Sequence, residues 1–71
     1  MSDLNDKLLA AHSAGNKLAL VELYTMAADQ SDTSDAEGFF LTHAYVFALE
    51  INHPDAPILK ARLVAAGRDR D

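Results

Sequence analysis

The feature that most constrains the fold is a regular series of helix-ending and helix-starting residues, which cuts the chain into four short segments. The breaks lie, in chain order, at Gly15-Asn16, at residues 30–33, at Pro54 and Pro57, and at Gly67. Glycine is typical of the position after a helix, Asn, Ser and Asp of the position before one, and proline is tolerated only in a first turn. The pattern predicts a single all-α domain over residues 1–71, with four short antiparallel helices at about 3–14, 17–29, 35–52 and 56–66.

Local signals predict the caps of these helices. Ser2 or Asp3 is suited to cap the first helix, and Gly15 to end it. Ser34 followed by Glu37 has the form of a capping box, in which each side chain accepts a hydrogen bond from the other residue's N–H group. Pro57 excludes His53 as the cap of the fourth helix, because its missing N–H group would fall where the first intrahelical bond belongs. The predicted cap of that helix is therefore Asp55 or Pro54.

The second helix has one apolar and one polar face. Its apolar face is predicted at Leu20, Leu23, Tyr24 and Ala27, and its polar face at Glu22, Thr25 and Asp29. The third segment is different, because residues 39–49 are apolar nearly all round. A buried strand is the alternative interpretation of that run, but its capping signal, its length and its alanines favour a helix covered on more than one side.

The third and fourth segments contain more apolar residues than three short neighbouring helices are expected to cover. Only Lys60 and Arg62 are charged in the middle of the fourth segment, although the last helix of a stack needs a polar outer face. Large exposed apolar areas mark interfaces. We therefore expect self-association through the third and fourth helices, with a homo-oligomer, a dimer, as the predicted state.

Size and charge narrow the function further. A chain of 71 residues without cysteine has neither a disulfide framework nor a thiolate metal site, and lies near the lower limit for a self-sufficient core. Residues 1–55 carry nine acidic and two basic side chains, whereas residues 56–71 carry two acidic and four basic ones. An acidic body repels phosphate, so neither nucleic acid nor a membrane is a predicted partner. The N-terminus has no basic and apolar signal region, which predicts a cytoplasmic location.

The chain also matches itself when it is shifted by 40 residues. Residues 18–24 then lie over 58–64, so that Leu23 coincides with Leu63, and Asp29 coincides with Asp69. This match favours a helical repeat in which each helix pair packs against the next. A chance match between two alanine-rich helices is the alternative interpretation.

The segment ALEINHPDA at residues 48–56 resembles the junction between Sel1-like repeats, which are relatives of tetratricopeptide repeats. Asn52 stands where that family has glycine. Small or aromatic positions of the family match Ala61, Val64 and Gly67, and, one unit earlier, Val21, Tyr24 and Ala27. The 40-residue spacing exceeds the family's unit by about one helical turn, and its tryptophan and Gly-x-Gly-Val turn are absent. The resemblance implies an α-α packing unit that binds proteins and performs no chemistry.

The polar residues contain no strong catalytic or metal-binding pattern. His12, His43 and His53 lack metal-ligand spacing, and there is neither a nucleophile elbow nor a phosphate loop. The stretch from Asp29 to Asp35 has oxygen-bearing side chains at alternate positions, but it lacks the glycine and the bidentate glutamate of a calcium loop. No enzymatic activity, cofactor or metal is therefore expected. His43 is predicted either to donate to a backbone carbonyl in the core or to line a groove.

Two functional hypotheses follow. The first is a self-associating protein-interaction module. Its contact surface is predicted to contain Glu22, Thr25, Asp29, His43, Lys60 and Arg62, with all except His43 expected to be exposed. The second is a small ligand-binding helical bundle in which His43 and Tyr45 line one apolar pocket.

Overall fold

The structure is a computed structural model that describes residues 3–66. It contains four α-helices and, over that range, no strand: α1 (Asp3–Ala14), α2 (Lys17–Asp29), α3 (Ser34–Glu50) and α4 (Ala56–Ala65). The prediction of an all-α chain with four helices is confirmed. The predictions made for Ser2 and for Gly67 and the residues after it lie outside the described residues.

Helix α1 ends and α2 begins as the glycine and asparagine predict. Gly15 has a φ of 66°, and the N–H groups of Gly15 and Asn16 donate to the carbonyls of His12 and Ala11 at 3.2 and 3.0 Å. This pattern is a Schellman motif, in which a left-handed residue allows the last carbonyls of the helix to be satisfied. The Asn16 side chain then accepts a hydrogen bond from the Ala19 N–H group and caps α2.

The predicted capping box at the start of α3 is wrong by one residue. Thr33, not Ser34, is the N-cap, and its hydroxyl accepts from the Ala36 N–H group at 3.1 Å. Ser34 is the first helical residue. The Glu37 side chain does not reach back to the cap, because it pairs with Arg62 from α4.

Helix α3 ends at Glu50, two residues before the predicted end. Asn52 has a φ of 55°, and the His53 N–H group donates to the Ala48 carbonyl at 2.8 Å in a second Schellman motif. His53 Nδ1 then accepts from the Asp55 N–H group at 3.0 Å. Helix α4 follows with Asp55 at its N-cap, as predicted, and with proline in its first turn.

The helices pack in chain order, α1 on α2, α2 on α3 and α3 on α4. The Cα atoms fill a flat volume of 33 × 28 × 13 Å. Lys17 at the start of α2 forms an ion pair with Glu50 at the end of α3, 2.9 Å apart, as expected for antiparallel neighbours. Long side chains also link helices that are not neighbours in the chain, and these links are described below.

The core lies mainly between α2, α3 and α4. Its buried members are Val21, Ala28, Leu41, Ala44, Ala48, Leu59 and Leu63. Three of these are alanines on the facing sides of α2 and α3, and such small side chains allow two helix backbones to approach closely. Larger side chains, including Tyr45 and Phe47, cover the edges of this core and stay half-buried.

Candidate functional site

One side of α3 presents an apolar surface to solvent. The residues of this surface, called the α3 stripe, recur at helical spacing and are Phe39, Thr42, His43, Val46 and Leu49. The opposite side of α3 carries the buried Leu41, Ala44 and Ala48. Phe39 is 57% exposed, and Val46 and Leu49 are similarly exposed. The expectation that the other helices do not cover all apolar residues of α3 is confirmed for these three.

Rings from α1, α2 and α3 meet beside the α3 stripe. Tyr24 stacks on His43 and on Phe47 with ring centroids 5.0 and 6.0 Å apart. His12 lies edge-on to Phe47 at 6.0 Å, and its Nε2 atom is 2.9 Å from the Tyr24 hydroxyl. Each such ring pair contributes about 0.5–1.5 kcal/mol beyond its burial. These contacts fix α1 against α3, although the two helix backbones do not pack directly.

His43 is half-buried outside the core, and it is bonded to the backbone. Its Nδ1 atom lies 2.9 Å from the Phe39 carbonyl, which only accepts, so Nδ1 carries the proton. Together with Thr42, Val46 and Phe47 it lines an open cavity of about 220 Å³. Tyr45 does not line this cavity and packs against the core instead. The two residues named for the ligand-binding hypothesis are therefore not brought together.

The outward side of α4 is apolar along its whole length. This α4 outer face consists of Pro57, Ile58, Ala61, Val64 and Ala65, all of which are exposed and uncharged. Ile58 is 59% exposed and Val64 is 41% exposed, whereas Leu59 and Leu63 on the inward side are buried. The last described helix thus lacks the polar outer face that terminal helices of a stack ordinarily have.

The Arg62 guanidinium points away from that face and joins three helices. Its Nη2 atom lies 2.8 Å from a carboxylate oxygen of Asp29 on α2 and 3.4 Å from one of Glu37 on α3. The three side chains are 30%, 57% and 36% exposed, so solvent screens the attraction and each pair contributes at most about 1 kcal/mol. The more important effect of these ion pairs is on orientation. They hold the positive charge of Arg62 against the body of the domain and away from the outward side of α4.

The structure places the predicted contact residues in different environments. Glu22 and Asp29 are exposed on α2, as expected. The expected exposure of Thr25, Lys60 and Arg62 is wrong, because all three are half-buried. The Thr25 hydroxyl donates to the Val21 carbonyl at 2.7 Å, which satisfies the hydroxyl within its own helix.

Two of the predicted contact residues, Asp29 and Arg62, are joined directly. Their ion pair is internal to the domain, so these two side chains stabilise the arrangement of α2 and α4. The exposed apolar residues of α3 and α4 were noted as an excess in the sequence. The packing of α2 and α4 determines which of these apolar residues are exposed to solvent. Helical spacing alone does not predict that packing.

A groove between α1 and α2 was not predicted. It has a volume of about 400 Å³ and a floor that includes Ala10, Ala11, Ala14 and Ala19. Lys7 and Glu22 also line it. The alanine content of both helices was visible in the sequence, but the apposition of these four residues depends on the turn at Gly15.

Polar side chains in and next to the loop between α2 and α3 form hydrogen bonds and an ion pair within the domain. Asp29 pairs with Arg62, the Ser31 hydroxyl donates to the Ala27 carbonyl at 2.8 Å, and Thr33 caps α3. Over residues 3–66, no three His, Asp or Glu side chains converge as metal ligands would. In the same range, every helix is too short or too polar to cross a bilayer.

Comparison with models of known protein families, with curated proteins and with solved structures finds no match.

Proposed function

We propose that this chain is a non-enzymatic protein-interaction module that associates with itself through α3 and α4. The observation that carries the proposal is the amount of apolar side chain left in water on two adjacent helices. Phe39, Val46 and Leu49 project from α3, and Ile58 and Val64 project from α4. Single exposed apolar side chains are ordinary, but a run of them along two neighbouring helices is typical of an interface.

The rest of the domain supports the same assignment. The exposed ring of His12 and the half-buried rings of Tyr24 and Phe47 hold α1 and α2 against α3. The α3 stripe is therefore presented by a supported helix, which limits the conformational entropy lost when a partner binds. The Sel1-like resemblance points to the same class of function, a packing unit that binds proteins.

The ligand-binding alternative has weaker support. The cavity beside His43 is open, and its volume of about 220 Å³ is below the usual range for small-molecule sites, which begins at about 300 Å³. Its polar lining residues are Thr42 and His43, and the Thr42 hydroxyl already donates to the Gly38 carbonyl. Small-ligand pockets hold their ligand with several polar groups that point towards it. The cavity beside His43 therefore lacks a complete set of such groups.

Sedimentation velocity over a wide range of protein concentration tests the proposal. We expect a reversible increase in sedimentation coefficient in the micromolar range. The variant Leu49→Glu places a charge on the α3 stripe and should shift the equilibrium to monomer. Its matched control is Leu9→Glu, because Leu9 is also an exposed helical leucine but lies on α1. A chain that stays monomeric up to millimolar concentration would contradict the proposal, as would equal effects of the two variants.

A further inference from the structure

The α4 outer face is self-complementary when it is reversed. Its five residues are spaced symmetrically about Ala61, with Pro57 and Ile58 on one side and Val64 and Ala65 on the other. If two copies of α4 lie antiparallel with Ala61 at the crossing point, Ile58 lies opposite the partner's Val64. Pro57 then lies opposite the partner's Ala65. The small side chain at the centre allows close approach, and the larger ones on either side provide apolar contact.

The charge distribution permits this approach. The α4 outer face has no charged residue, although α4 is the most basic helix of the described chain. Arg62 is turned inward to Asp29 and Glu37, at 2.8 and 3.4 Å. Lys60 is half-buried and lies outside the α4 outer face. The α4 outer face itself therefore brings no like charges to the crossing, where they would destabilise an interface between identical surfaces.

The two ends of the helix stack differ in polarity. The outward side of α1 carries Asn5, Asp6 and Ser13, with Leu9 as its large apolar residue. The outward side of α4 is wholly apolar. A stack of helices is closed by polar terminal helices, so the α1 end is already suited to water and the α4 end is not.

We infer that the occupant of the α4 outer face is a second copy of this chain, related by a two-fold axis that passes near Ala61. This inference rests on the proposed function and specifies its geometry. The two open ends meet in the middle of the assembly, and α1 forms the polar surface at both outer ends. Association of this kind closes at the dimer, because the same patch is used on both copies.

The area available sets the expected strength. A helix of ten residues is about 15 Å long and about 10 Å wide, so one face of α4 supplies well under the roughly 800 Å² per partner of a standard interface. The α3 stripe lies on the helix that packs against α4, and the proposed function assigns it to the same association, so we expect it to supply further contact area. The dissociation constant is expected in the micromolar range.

The absence of cysteine from the chain allows a direct test by disulfide trapping. Ala61→Cys places one thiol near the proposed axis, and a disulfide forms only where the two Cα atoms approach to within about 7 Å. We expect this variant to form a covalent dimer rapidly under mild oxidation. The matched control is Ser13→Cys, an equally exposed position on the outer side of α1, which should remain largely monomeric.

Mixing the two variants distinguishes the symmetric arrangement from a head-to-tail one. The two-fold geometry predicts disulfides between two copies of the Ala61→Cys chain only. Disulfides mainly between Ala61→Cys and Ser13→Cys chains, or growth beyond the dimer, would overturn the inference while leaving self-association intact. A sedimenting dimer that gives no disulfide at position 61 would also overturn it. If the wild-type chain is monomeric at every concentration, the proposed function itself is contradicted.

Discussion

Replacing Leu41 by alanine tests the packing on which the fold depends. Leu41 is 0% exposed and lies in the centre of the core, where α3 meets both α2 and α4. The substitution removes three carbon atoms, which costs about 2.4 kcal/mol in transfer free energy at about 0.8 kcal/mol per buried methylene. A further term arises from the cavity that remains, and measured costs for buried leucine lie at about 2–5 kcal/mol. We expect a loss of about 3–4 kcal/mol.

That loss is large for a chain of this size. A domain of 71 residues has a free energy of unfolding of about 4–11 kcal/mol, since each residue contributes about 0.05–0.15 kcal/mol. In a domain this small, each kcal/mol shifts the melting temperature by about 4–8 °C. The variant should therefore melt about 12–30 °C lower. If the wild-type stability lies at the low end of its range, up to about half of the variant chains should be unfolded even without heating.

Urea titration followed by circular dichroism, at low protein concentration to keep the chain monomeric, measures this loss. The matched control is Leu9→Ala, because Leu9 is 60% exposed on α1 and its truncation should change stability by less than about 0.5 kcal/mol. If both leucine variants lose the same amount, the assignment of Leu41 to the core is wrong. A loss below about 1 kcal/mol for Leu41→Ala would refute the packing argument even if Leu9→Ala were neutral.

Substitutions at three further sites test individual features of the fold. Asn52 has a φ of 55°, so Asn52→Gly should stabilise the chain by about 0.5 kcal/mol and Asn52→Ala should destabilise it by about 1 kcal/mol, both measured by urea titration. Thr33→Ala removes the cap of α3 and should cost about 1 kcal/mol, whereas Ser34→Ala should change stability little; the reverse order would restore the capping box at Ser34. Arg62→Met should lower the melting temperature by a few degrees at low salt and by less at high salt, and a salt-independent loss would contradict the assigned ion pairs.

The fold was predictable where a short stretch of sequence determines the backbone. Gly15 and Asn16 are adjacent, and each acts on its own neighbourhood through a left-handed φ and a side-chain cap. Asp55 follows the same logic, because Pro57 leaves few positions at which α4 can begin. The end of α1 and the starts of α2 and α4 were therefore correct from the sequence alone.

The errors arose where a distant residue changes the local outcome. Ser34 with Glu37 satisfies the capping-box pattern, and nothing nearby in the sequence favours Thr33 over Ser34. The Glu37 carboxylate is instead directed towards Arg62, which is 25 residues away in the chain. A cap that depends on a tertiary ion pair is not predictable from a four-residue pattern.

In the candidate site, too, some features follow from the local sequence and others from tertiary packing. The excess of apolar residues in the third and fourth segments is a property of composition, and the sequence showed it. The choice between exposed Val46 and half-buried Phe47 is made by the packing of α2 and α1, through the rings of Tyr24 and His12. Adjacent residues with similar hydrophobicity therefore have different roles.

The arrangement of α4 links stability to association. Helix α4 is held to the domain by two buried leucines, by the half-buried Ala56 and by Arg62, while the residues of its outer face are exposed. A surface that covers the α4 outer face therefore adds apolar burial to a short helix of a domain near the lower size limit. Because a partner that binds only the folded state stabilises it by mass action, the same contacts that join two chains also contribute to the folding of each one. The proposed self-association would therefore make the exposed face of α4 a part of the core that a second chain completes.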